Sequence, residues 1–333
     1  MKTKKFLVPD GIEYFMPDQA LKYEALKSKV LKIFSKYKYQ YVIPPIFDDL
    51  DNLLNLNSSD LDKETIKILD VRSDGDVGIR ADITPQISKI DYQLCMGTSN
   101  SKYSYMGDIY RPSSDQFDRK NPYQVGAEFF GSITKDVEIE LMKLMLDIIM
   151  LSNEKKIIIE LGDISIIDNF LSSLKLSELN KYELINLINY KSSGEISDFF
   201  NSNKLSKNKL TFILEFIQLS GDIMVIKEIK KLLKSFKMDF TTNLANLIQI
   251  EKSITRFKKP VEVQIDLCEL HGFQYQTSTT YTAYVANLRK EISRGGKYNA
   301  YMLPNQKVRS ATGFSLDLKD IFNLSIKGDR INV

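Results

Sequence analysis

The sequence predicts an α+β protein, in which one antiparallel sheet is flanked by helices and interrupted by a helical insertion. Runs of β-branched and aromatic residues, bounded by turn residues, occur in the first half of the chain and again near its end. Between them such runs disappear, and apolar residues recur at helical spacing, as in 210–217. We therefore predict a core made of residues 1–164 and 258–333, with residues 165–257 as the insertion.

The first part of the core is predicted to alternate between helices and strands. Apolar residues at helical spacing predict a helix over 19–37. The stretch YVIPPIF, 41–47, is extended, and its two prolines favour an edge or interface strand. Segments 65–71 and 77–79 flank a Ser-Asp-Gly turn and predict a hairpin. The threonine of RADITPQI is suited to cap a helix over 84–94 that has the following proline at its first position.

The remaining core elements are predicted from the same patterns. The sequence GDIYRPSSDQFDRKNPYQVGAEFFG, 107–131, predicts two strands joined by a charged loop. A helix at 137–151 and a strand at 156–161 are expected before the insertion. After the insertion we predict strands at 261–267, 273–277, 280–285 and 291–293, a hairpin turn at Gly295-Gly296, and a final strand and helix within 312–322.

The two strands of 107–131 contain polar residues at positions where a buried sheet is usually apolar. A period of two places Gln124, Gly126 and Glu128 on one face of the second strand, and Arg111 lies near the end of the first. A strand that buries an amide and a carboxylate beside a glycine makes room for a polar partner. Gln124 and Glu128 also fit a second interpretation, a hydrogen-bonded pair that serves only the sheet.

The composition limits the class of protein. The chain has 333 residues, is 43% hydrophobic and 27% charged, and has a net charge of +3, which argues against nucleic acid or an anionic membrane as a partner held by bulk charge. Cys95 and Cys268 lack CxxC spacing and His271 is the sole histidine, so we predict neither a zinc site nor a Ser-His-Asp mechanism. The longest apolar segment, 137–151, is broken by charged residues, and no secretory signal opens the chain. We predict a cytoplasmic protein that does not span a membrane.

Several separated stretches together resemble a known family. They are LVPDGIEYFMPDQA, IRADITPQIS, the 107–131 segment, HGFQYQTSTTYTAY, SRGGKYNAY and ATGFSLDL. These stretches resemble the class II aminoacyl-tRNA synthetase core in its histidyl branch, and within that branch the regulatory subunits of ATP phosphoribosyltransferase, which are synthetase paralogues in histidine biosynthesis. The resemblance covers nearly the whole chain. It implies a class II synthetase-like fold and, as partner in a hetero-oligomer, a short-form ATP phosphoribosyltransferase catalytic subunit.

The resemblance also implies a binding site for free histidine. In histidyl-tRNA synthetases, acidic residues and a threonine hold the ammonium group, while a Gln, an Arg and a Tyr hold the imidazole and the carboxylate. Matched motif by motif, these roles fall on Asp82, Thr84, Arg111, Gln124, Glu128 and Tyr275. Charge-assisted hydrogen bonds of this kind contribute about 1.5–3 kcal/mol each. No cofactor is implied.

Departures from the synthetase pattern imply that the site binds histidine without activating it. Pro112 and Ser113 follow Arg111, where a synthetase has a glutamate that helps to hold ATP. Asp320 falls where an arginine faces the nucleotide, and His271 falls where an arginine activates the histidine carboxylate. The chain ends soon after ATGFSLDL, so we expect no anticodon-binding domain and no tRNA partner. The resemblance therefore implies a non-catalytic regulatory subunit.

Two functional hypotheses stay open. One is the regulatory subunit of a glycosyltransferase complex, required for the first step of histidine biosynthesis and for its feedback inhibition by histidine. The other is a minimal synthetase-like enzyme that activates histidine with ATP. The resemblance also implies a dimer, which we expect to form through the apolar edge at 41–47. We further expect Arg119 to lie at the surface, Gly295-Gly296-Lys297 to form a hairpin turn and not a phosphate-binding loop, and the lysines of the insertion to form a solvated face, with a protein interface as the second interpretation.

Overall fold

A computed structural model describes residues 10–54, 59–68, 76–95, 99–112, 119–257, 260–270, 276–303 and 307–328. The chain divides into two compact units: Met1–Glu154 with Asn299–Val333 form the first, and Lys155–Tyr298 form the second. These unit boundaries differ from those of the predicted core, 1–164 with 258–333, and the predicted insertion, 165–257. The division into a core and an insertion stays a prediction. No helix in the described ranges has the length and apolarity that crossing a membrane requires.

The helices in chain order are α1 (Pro17–Lys36), α2 (Leu50–Leu53), α3 (Ser59–Glu64), α4 (Thr84–Cys95), α5 (Lys135–Ile149), α6 (Ile164–Leu174), α7 (Glu178–Asn189), α8 (Ser193–Ser202), α9 (Lys207–Phe216), α10 (Ile226–Ser235), α11 (Thr241–Thr255) and α12 (Leu318–Gly328). The strands are β1 (Gln40–Val42), β2 (Phe47–Asp49), β3 (Ile66–Ile68), β4 (Val77–Ile79), β5 (Ser101–Asp108), β6 (Tyr123–Phe130), β7 (Ile157–Asp163), β8 (Ser220–Gly221), β9 (Val261–Asp266), β10 (Gln276–Val285), β11 (Ser293–Met302) and β12 (Val308–Asp317). Short 3₁₀ turns follow α5, at Met150–Ser152, and precede α10, at Ile223–Val225.

The first unit is built on the strand order β1-β5-β6-β12, with β1 at the edge. β1 runs parallel to β5, whereas β5–β6 and β6–β12 are antiparallel pairs. A separate small sheet has the order β2-β4-β3. Helix α5 packs against β12 and α1, and its apolar residues from Leu141 to Ile149 are fully buried. Burial on nearly all sides makes α5 the centre of this unit's core.

The second unit combines strands with a helical array. β10 pairs with β7 and β11 in antiparallel fashion, β7 runs parallel to β9, and the two-residue β8 lies on the other side of β9. Helices α7 to α10 pack successively against one another, each burying an apolar stripe. Helix α6 packs on β10, and α11 packs on β7 and β9.

The predicted α+β class is confirmed, and two details of the prediction are wrong. The strands are not purely antiparallel, because β1–β5 and β7–β9 run parallel. Gly295 and Gly296 do not form a turn; they lie inside β11 and pair with Tyr281 and Thr280. A side chain on Gly296 would meet the carbonyl oxygen of Thr279 at 2.8 Å, so this glycine permits a close strand approach.

Other predicted elements agree with the structure within a few residues. The predicted hairpin is present as the β3–β4 pair, with Ile66 opposite Ile79, although its turn lies outside the described residues. The extended segment at 41–47 contributes the edge strand β1, as predicted. Strands predicted at 273–277 and 280–285 are one strand in the described part, β10, with an irregular register between Gln276 and Thr280.

Candidate functional site

One face of the sheet in the first unit carries the polar side chains that the sequence predicts. Gln124, Gly126 and Glu128 alternate along β6, and each is buried. Their partners across the sheet are Gly107, Tyr105 and Tyr103 on β5, and Asp317, Ser315 and Gly313 on β12. Helix α4 packs on β5 and β6, so the residues that lead into α4 reach this face.

Gln124 fixes the segment that precedes α4. Its Nε2 donates to Asp82 Oδ1 at 2.8 Å, and its Oε1 accepts from the backbone N–H of Ile83 at 2.9 Å. Asp82 Oδ1 also accepts from the backbone N–H of Thr84 at 3.0 Å. Because both ends of the Gln124 amide are used, the side-chain orientation is determined by its partners. The structure therefore brings Asp82, Thr84 and Gln124 together.

Glu128 joins the same cluster through hydroxyl groups. Its side chain is 2% exposed, and Oε1 accepts from the Tyr105 hydroxyl at 3.2 Å and from Thr84 Oγ1 at 3.3 Å. Burial raises the pKa of Tyr105 well above its ordinary value, and the charges of Glu128 and Asp82 raise it further. Tyr105 therefore stays protonated and donates to the carboxylate.

Glycines on this face leave room for polar side chains that lie flat on the sheet. A Cβ at Gly126 would overlap the Tyr105 hydroxyl, and one at Gly313 would overlap Glu128 Oε2. A Cβ at Gly107 would overlap the guanidinium of Arg80. The space beside Gly126 is thus occupied by the phenol group of Tyr105, so part of the polar partner expected from the sequence belongs to the protein itself.

Arg111 lies apart from this cluster, and it is not part of strand β5, although the sequence predicts that it lies near the end of that strand. β5 ends at Asp108, so Arg111 belongs to the segment that follows it. Its Nε donates to the carbonyl oxygen of Ala81 at 2.9 Å and lies 3.5 Å from Glu64 Oε2, and its side chain is 39% exposed. Its backbone N–H donates to the carbonyl oxygen of Lys120, which continues the β5–β6 register beyond the ends of the two strands.

The side chain of Arg119 is only 13% exposed, contrary to the prediction that it lies at the surface. Its Nε donates to Glu13 Oε2 at 2.9 Å, and its Nη1 donates to Asp320 Oδ1 at 2.9 Å and to Asp317. Burial alone would lower the pKa of Arg119, but attraction by Asp317, Asp320 and Glu13 outweighs it and raises that pKa. Asp320 therefore faces a guanidinium of its own chain, a pairing that the sequence does not suggest.

Three residues discussed from the sequence lie outside the described part of the chain. They are Tyr275, which was matched to the histidine site, and His271 and Ser113, two of the departures from the synthetase pattern. The candidate cluster in the described residues therefore consists of Asp82, Thr84, Gln124 and Glu128, with Arg111 held at the adjoining Ala81 carbonyl.

Sequence reasoning missed two residues of this site. Tyr105 bridges Thr84 and Glu128, and the signal for it is its position directly across from Gly126, where a large side chain can lie over a small one. Arg80 opens the RADIT motif and is 4% exposed. Its guanidinium donates to the carbonyl oxygens of Pro44, at 2.8 Å, and Asp108, at 2.9 Å.

Comparisons with known proteins agree with this fold. The model of the family described as histidyl-tRNA synthetase matches residues 11–321. A solved structure described as an ATP phosphoribosyltransferase regulatory subunit/histidyl-tRNA synthetase from Bacillus halodurans superposes with a TM-score of 0.80 at 18% identity, covering 96% of this chain and 83% of that one. Fold and sequence together define a histidyl-tRNA synthetase-like protein of class II architecture.

Sequence relatives narrow this class further. The ATP phosphoribosyltransferase regulatory subunit of Methylococcus capsulatus is 30% identical over 98% of this chain and 80% of the relative. A chain of an ATP phosphoribosyl transferase (HisG:HisZ) complex from Thermotoga maritima has the same fold, with a TM-score of 0.67 at 18% identity over 89% of this chain and 97% of that one. The chain belongs to the family of ATP phosphoribosyltransferase regulatory subunits, and the resemblance inferred from its motifs is confirmed.

Proposed function

We propose that this chain binds a short-form ATP phosphoribosyltransferase catalytic subunit and confers feedback inhibition by histidine on the first step of histidine biosynthesis. The family relationship supports the regulatory role. The Thermotoga maritima structure is described as a complex, which supports a catalytic chain as the partner. Soluble assembly in the cytoplasm belongs to the same proposal.

The observation that carries the histidine site is the convergence of Asp82, Thr84, Gln124 and Glu128 in one hydrogen-bonded cluster. An α-ammonium group needs several acceptors, and two carboxylates and a hydroxyl meet here. Glu128 lies in a buried setting, where a charge-assisted hydrogen bond is stronger than in water. In this site the ammonium group of histidine would bind to Glu128 and Thr84. The guanidinium of Arg111 would bind the carboxylate of histidine.

The proposed subunit binds histidine without activating it. Phosphate groups of ATP are stabilised in enzymes by fixed positive charges. At Asp320 the fixed charge is negative, and the nearest guanidinium, Arg119, is held by Asp317, Asp320 and Glu13. We expect no exchange of pyrophosphate into ATP that depends on histidine. Exchange above background would favour the alternative, a synthetase-like enzyme.

The proposed subunit also self-associates through the segment 41–47. Ile43, which directly follows the edge strand β1, is 76% exposed, and Phe47, the first residue of β2, is 50% exposed. An exposed apolar edge of this kind is usually covered by another chain.

The test of the histidine site is the substitution Glu128→Gln, which keeps the shape of the side chain and removes its charge. Losing one charge-assisted hydrogen bond costs about 1.5–3 kcal/mol, so histidine affinity measured by calorimetry should fall roughly 10- to 150-fold. Feedback inhibition should weaken in parallel, because inhibition is a coupling free energy between the two sites. Basal transferase activity of the complex should persist.

Glu138→Gln provides a matched control for this experiment. Glu138 lies on α5 and is also buried, at 6% exposed, so the same chemical change is made outside the cluster. It should leave histidine affinity unchanged. If Glu128→Gln lowers only the thermal stability and leaves affinity and feedback intact, the cluster serves the sheet alone and the site assignment is wrong.

A further inference from the structure

A cavity of about 600 Å³ opens in the first unit. Its walls are formed by α1, by the segment 41–46, by the paired ends of β5 and β6, and by Arg80. The four residues of the candidate histidine cluster do not line it. Its volume lies within the usual range for small-molecule sites, and four charged side chains of the described residues line it. The cavity is therefore a candidate for a second binding site.

Arg80 brings a buried guanidinium with unused donors to this cavity. It is 4% exposed, and its Nε and Nη1 donate to the carbonyl oxygens of Asp108, at 2.9 Å, and Pro44, at 2.8 Å. Its Nη2 lies against Gly107, another residue of the wall, and donates to none of the described residues. Nor does Arg80 form an ion pair within the described part of the chain. Because a buried charge without a counter-ion is costly, this end of the cavity favours an anionic group.

Asp108 brings a carboxylate to the same cavity. The residue is exposed, and its carboxylate has no hydrogen bond or ion pair with any residue in the described ranges. Burial lowers the pKa of Arg80, and Asp108 is the strongest of the charges that oppose this effect. Asp108 and Arg80 are thus near each other without being joined. A ligand that carries both signs of charge can contact both residues.

The other two charged side chains of the cavity neutralise each other. Lys27 Nζ lies 2.9 Å from Glu24 Oε1 and 5.1 Å from the centroid of the Tyr123 ring. The lysine therefore has an acid and an aromatic face of its own chain as partners. Among the charged groups of the described wall, this leaves Arg80 and Asp108 for a ligand.

We propose that this cavity binds a small zwitterion of the α-amino acid class, whose carboxylate accepts from Arg80 Nη2 and whose ammonium group donates to Asp108. In an α-amino acid both charged groups are attached to the same carbon atom, so one molecule can join the two residues. Hydrogen bonds between a guanidinium and a carboxylate are charge-assisted and therefore strong. A dianion such as phosphate fits less well, because Asp108 repels it. The site is separate from the candidate histidine cluster, and the inference does not depend on the proposed function.

A second copy of this chain fits the cavity less well than such a ligand. The segment proposed for self-association borders the cavity through Ile43, which is 76% exposed. The side chain of isoleucine has no acceptor for a guanidinium. Filling the cavity with it would bury Arg80 Nη2 unsatisfied, which is costly. We therefore expect a second copy to cover the rim of the cavity and not to enter it.

The test titrates the full chain with glycine and follows the methionine methyl signals by NMR. Met106 lines the cavity and is 3% exposed, so its signal should shift, whereas that of Met224, in the other unit, should not. Glycinamide keeps the ammonium group and lacks the carboxylate. It should bind about 10- to 150-fold more weakly than glycine, as expected for the loss of a charge-assisted hydrogen bond. The shift of Met106 should persist in Glu128→Gln, which separates this cavity from the histidine cluster.

The contribution of Asp108 is tested by the substitution Asp108→Asn, which keeps the shape of the side chain and removes its charge. Acetate lacks the ammonium group, so the wild-type chain should bind it more weakly than glycine. Because Asp108 is exposed, the preference for glycine should fall by only about 2- to 5-fold in this variant. Asp136→Asn makes the same change at an exposed acid of the same unit outside the cavity, and it should keep the wild-type preference.

Four outcomes would overturn the proposal. No shift of Met106 with glycine would mean that the cavity takes no amino acid. Equal affinity for glycine and glycinamide, or an unchanged preference for glycine over acetate in Asp108→Asn, would mean that Arg80 or Asp108 does not hold the ligand. Tighter binding of inorganic phosphate than of glycine would make this a general anion site. A shift that disappears in the Ile43→Glu chain would assign the site to the contact between two copies.

Discussion

Gly313 has no side chain, and the carboxylate of Glu128 occupies the space that a side chain there would fill. Glu128 Oε2 lies within the volume that a Cβ would occupy. The carboxylate cannot move away freely, because Tyr105 and Thr84 both donate to its other oxygen. The position of one buried charge is thus determined by a residue of another strand.

We predict that Gly313→Ala is destabilising. Over-packing a buried site costs about 1–3 kcal/mol, so the free energy of unfolding measured by denaturant titration should fall by that amount. Gly194→Ala is the control, because apart from its chain neighbours and the nearby backbone of its own helix no atom lies within 4 Å of the added methyl group. That variant should be as stable as the wild type or slightly more stable. Equal stability of Gly313→Ala and the wild type would contradict the packing described for Glu128.

At this scale the sequence predicts residues on a strand well and residues in loops poorly. The period of two places Gln124 and Glu128 on the same face because it depends only on local backbone geometry. Arg111 and Arg119 do not have the environments expected of them: the side chain of Arg111 is 39% exposed, whereas that of Arg119 is only 13% exposed. Their environments are decided by distant partners: Asp317 and Asp320 are far from Arg119 in sequence, and no local pattern reports them.

Among the elements, the edge strand β1 and the prolines after it depend on one buried arginine. Arg80 Nη1 donates to the carbonyl oxygens of Pro44 and Pro45, at 2.8 and 3.0 Å. Pro44 and Pro45 have no backbone N–H to donate, so their carbonyl oxygens, which accept from Arg80, hold this segment in place. This places the exposed side chain of Ile43 at a defined edge, where the proposed self-association would occur.

We predict that Ile43→Glu prevents dimer formation. The side chain is 76% exposed, so folding is not affected, but a charge at an apolar contact is costly to bury. Sedimentation at micromolar concentration should give a monomer for this variant and a dimer for the wild type. Met224→Glu, a similar change at an exposed site of the other unit, should stay dimeric. A wild-type chain that sediments as a monomer would refute the dimer itself.

Strand β11 contains the glycine pair for which the sequence wrongly predicts a turn. Two consecutive glycines favour a turn locally, yet Gly295 and Gly296 lie inside β11. Pairing with Tyr281 and Thr280 outweighs the local preference. Since that pairing depends on the fold as a whole, composition and spacing alone do not indicate it.

At the scale of the whole molecule, we expect buried and half-buried tyrosines to make stability depend on alkaline pH. Burial is the largest cause that raises the pKa of Tyr23, Tyr37, Tyr103, Tyr105, Tyr284 and Tyr301 above the ordinary value of 10.0. Below pH 10 these phenols are protonated in the folded and unfolded states alike. Above pH 10 the unfolded chain releases protons that the folded chain keeps, so stability is lost as pH rises.

We predict that the free energy of unfolding falls steeply between pH 10 and pH 11. A fully buried tyrosine contributes up to about 1.4 kcal/mol per pH unit to this slope. Tyr105→Phe should be less stable at pH 8, because Glu128 loses a donor, and should show a shallower alkaline slope. Tyr14→Phe, which alters a residue 63% exposed, should retain the wild-type slope. A flat profile from pH 8 to pH 11 would contradict the burial of these phenols.

The three glycines of the polar sheet face couple positions that are distant in the chain. Gly107 accommodates Arg80, Gly126 accommodates Tyr105, and Gly313 accommodates Glu128. In each pair the volume missing at one residue is the volume occupied by the other, so neither can change alone without a clash or a void. Sequences that evolve under this fold should therefore substitute such pairs together, and a compensating second mutation should restore what a single one destroys. An alignment of the family should therefore show covariation at these three pairs of positions.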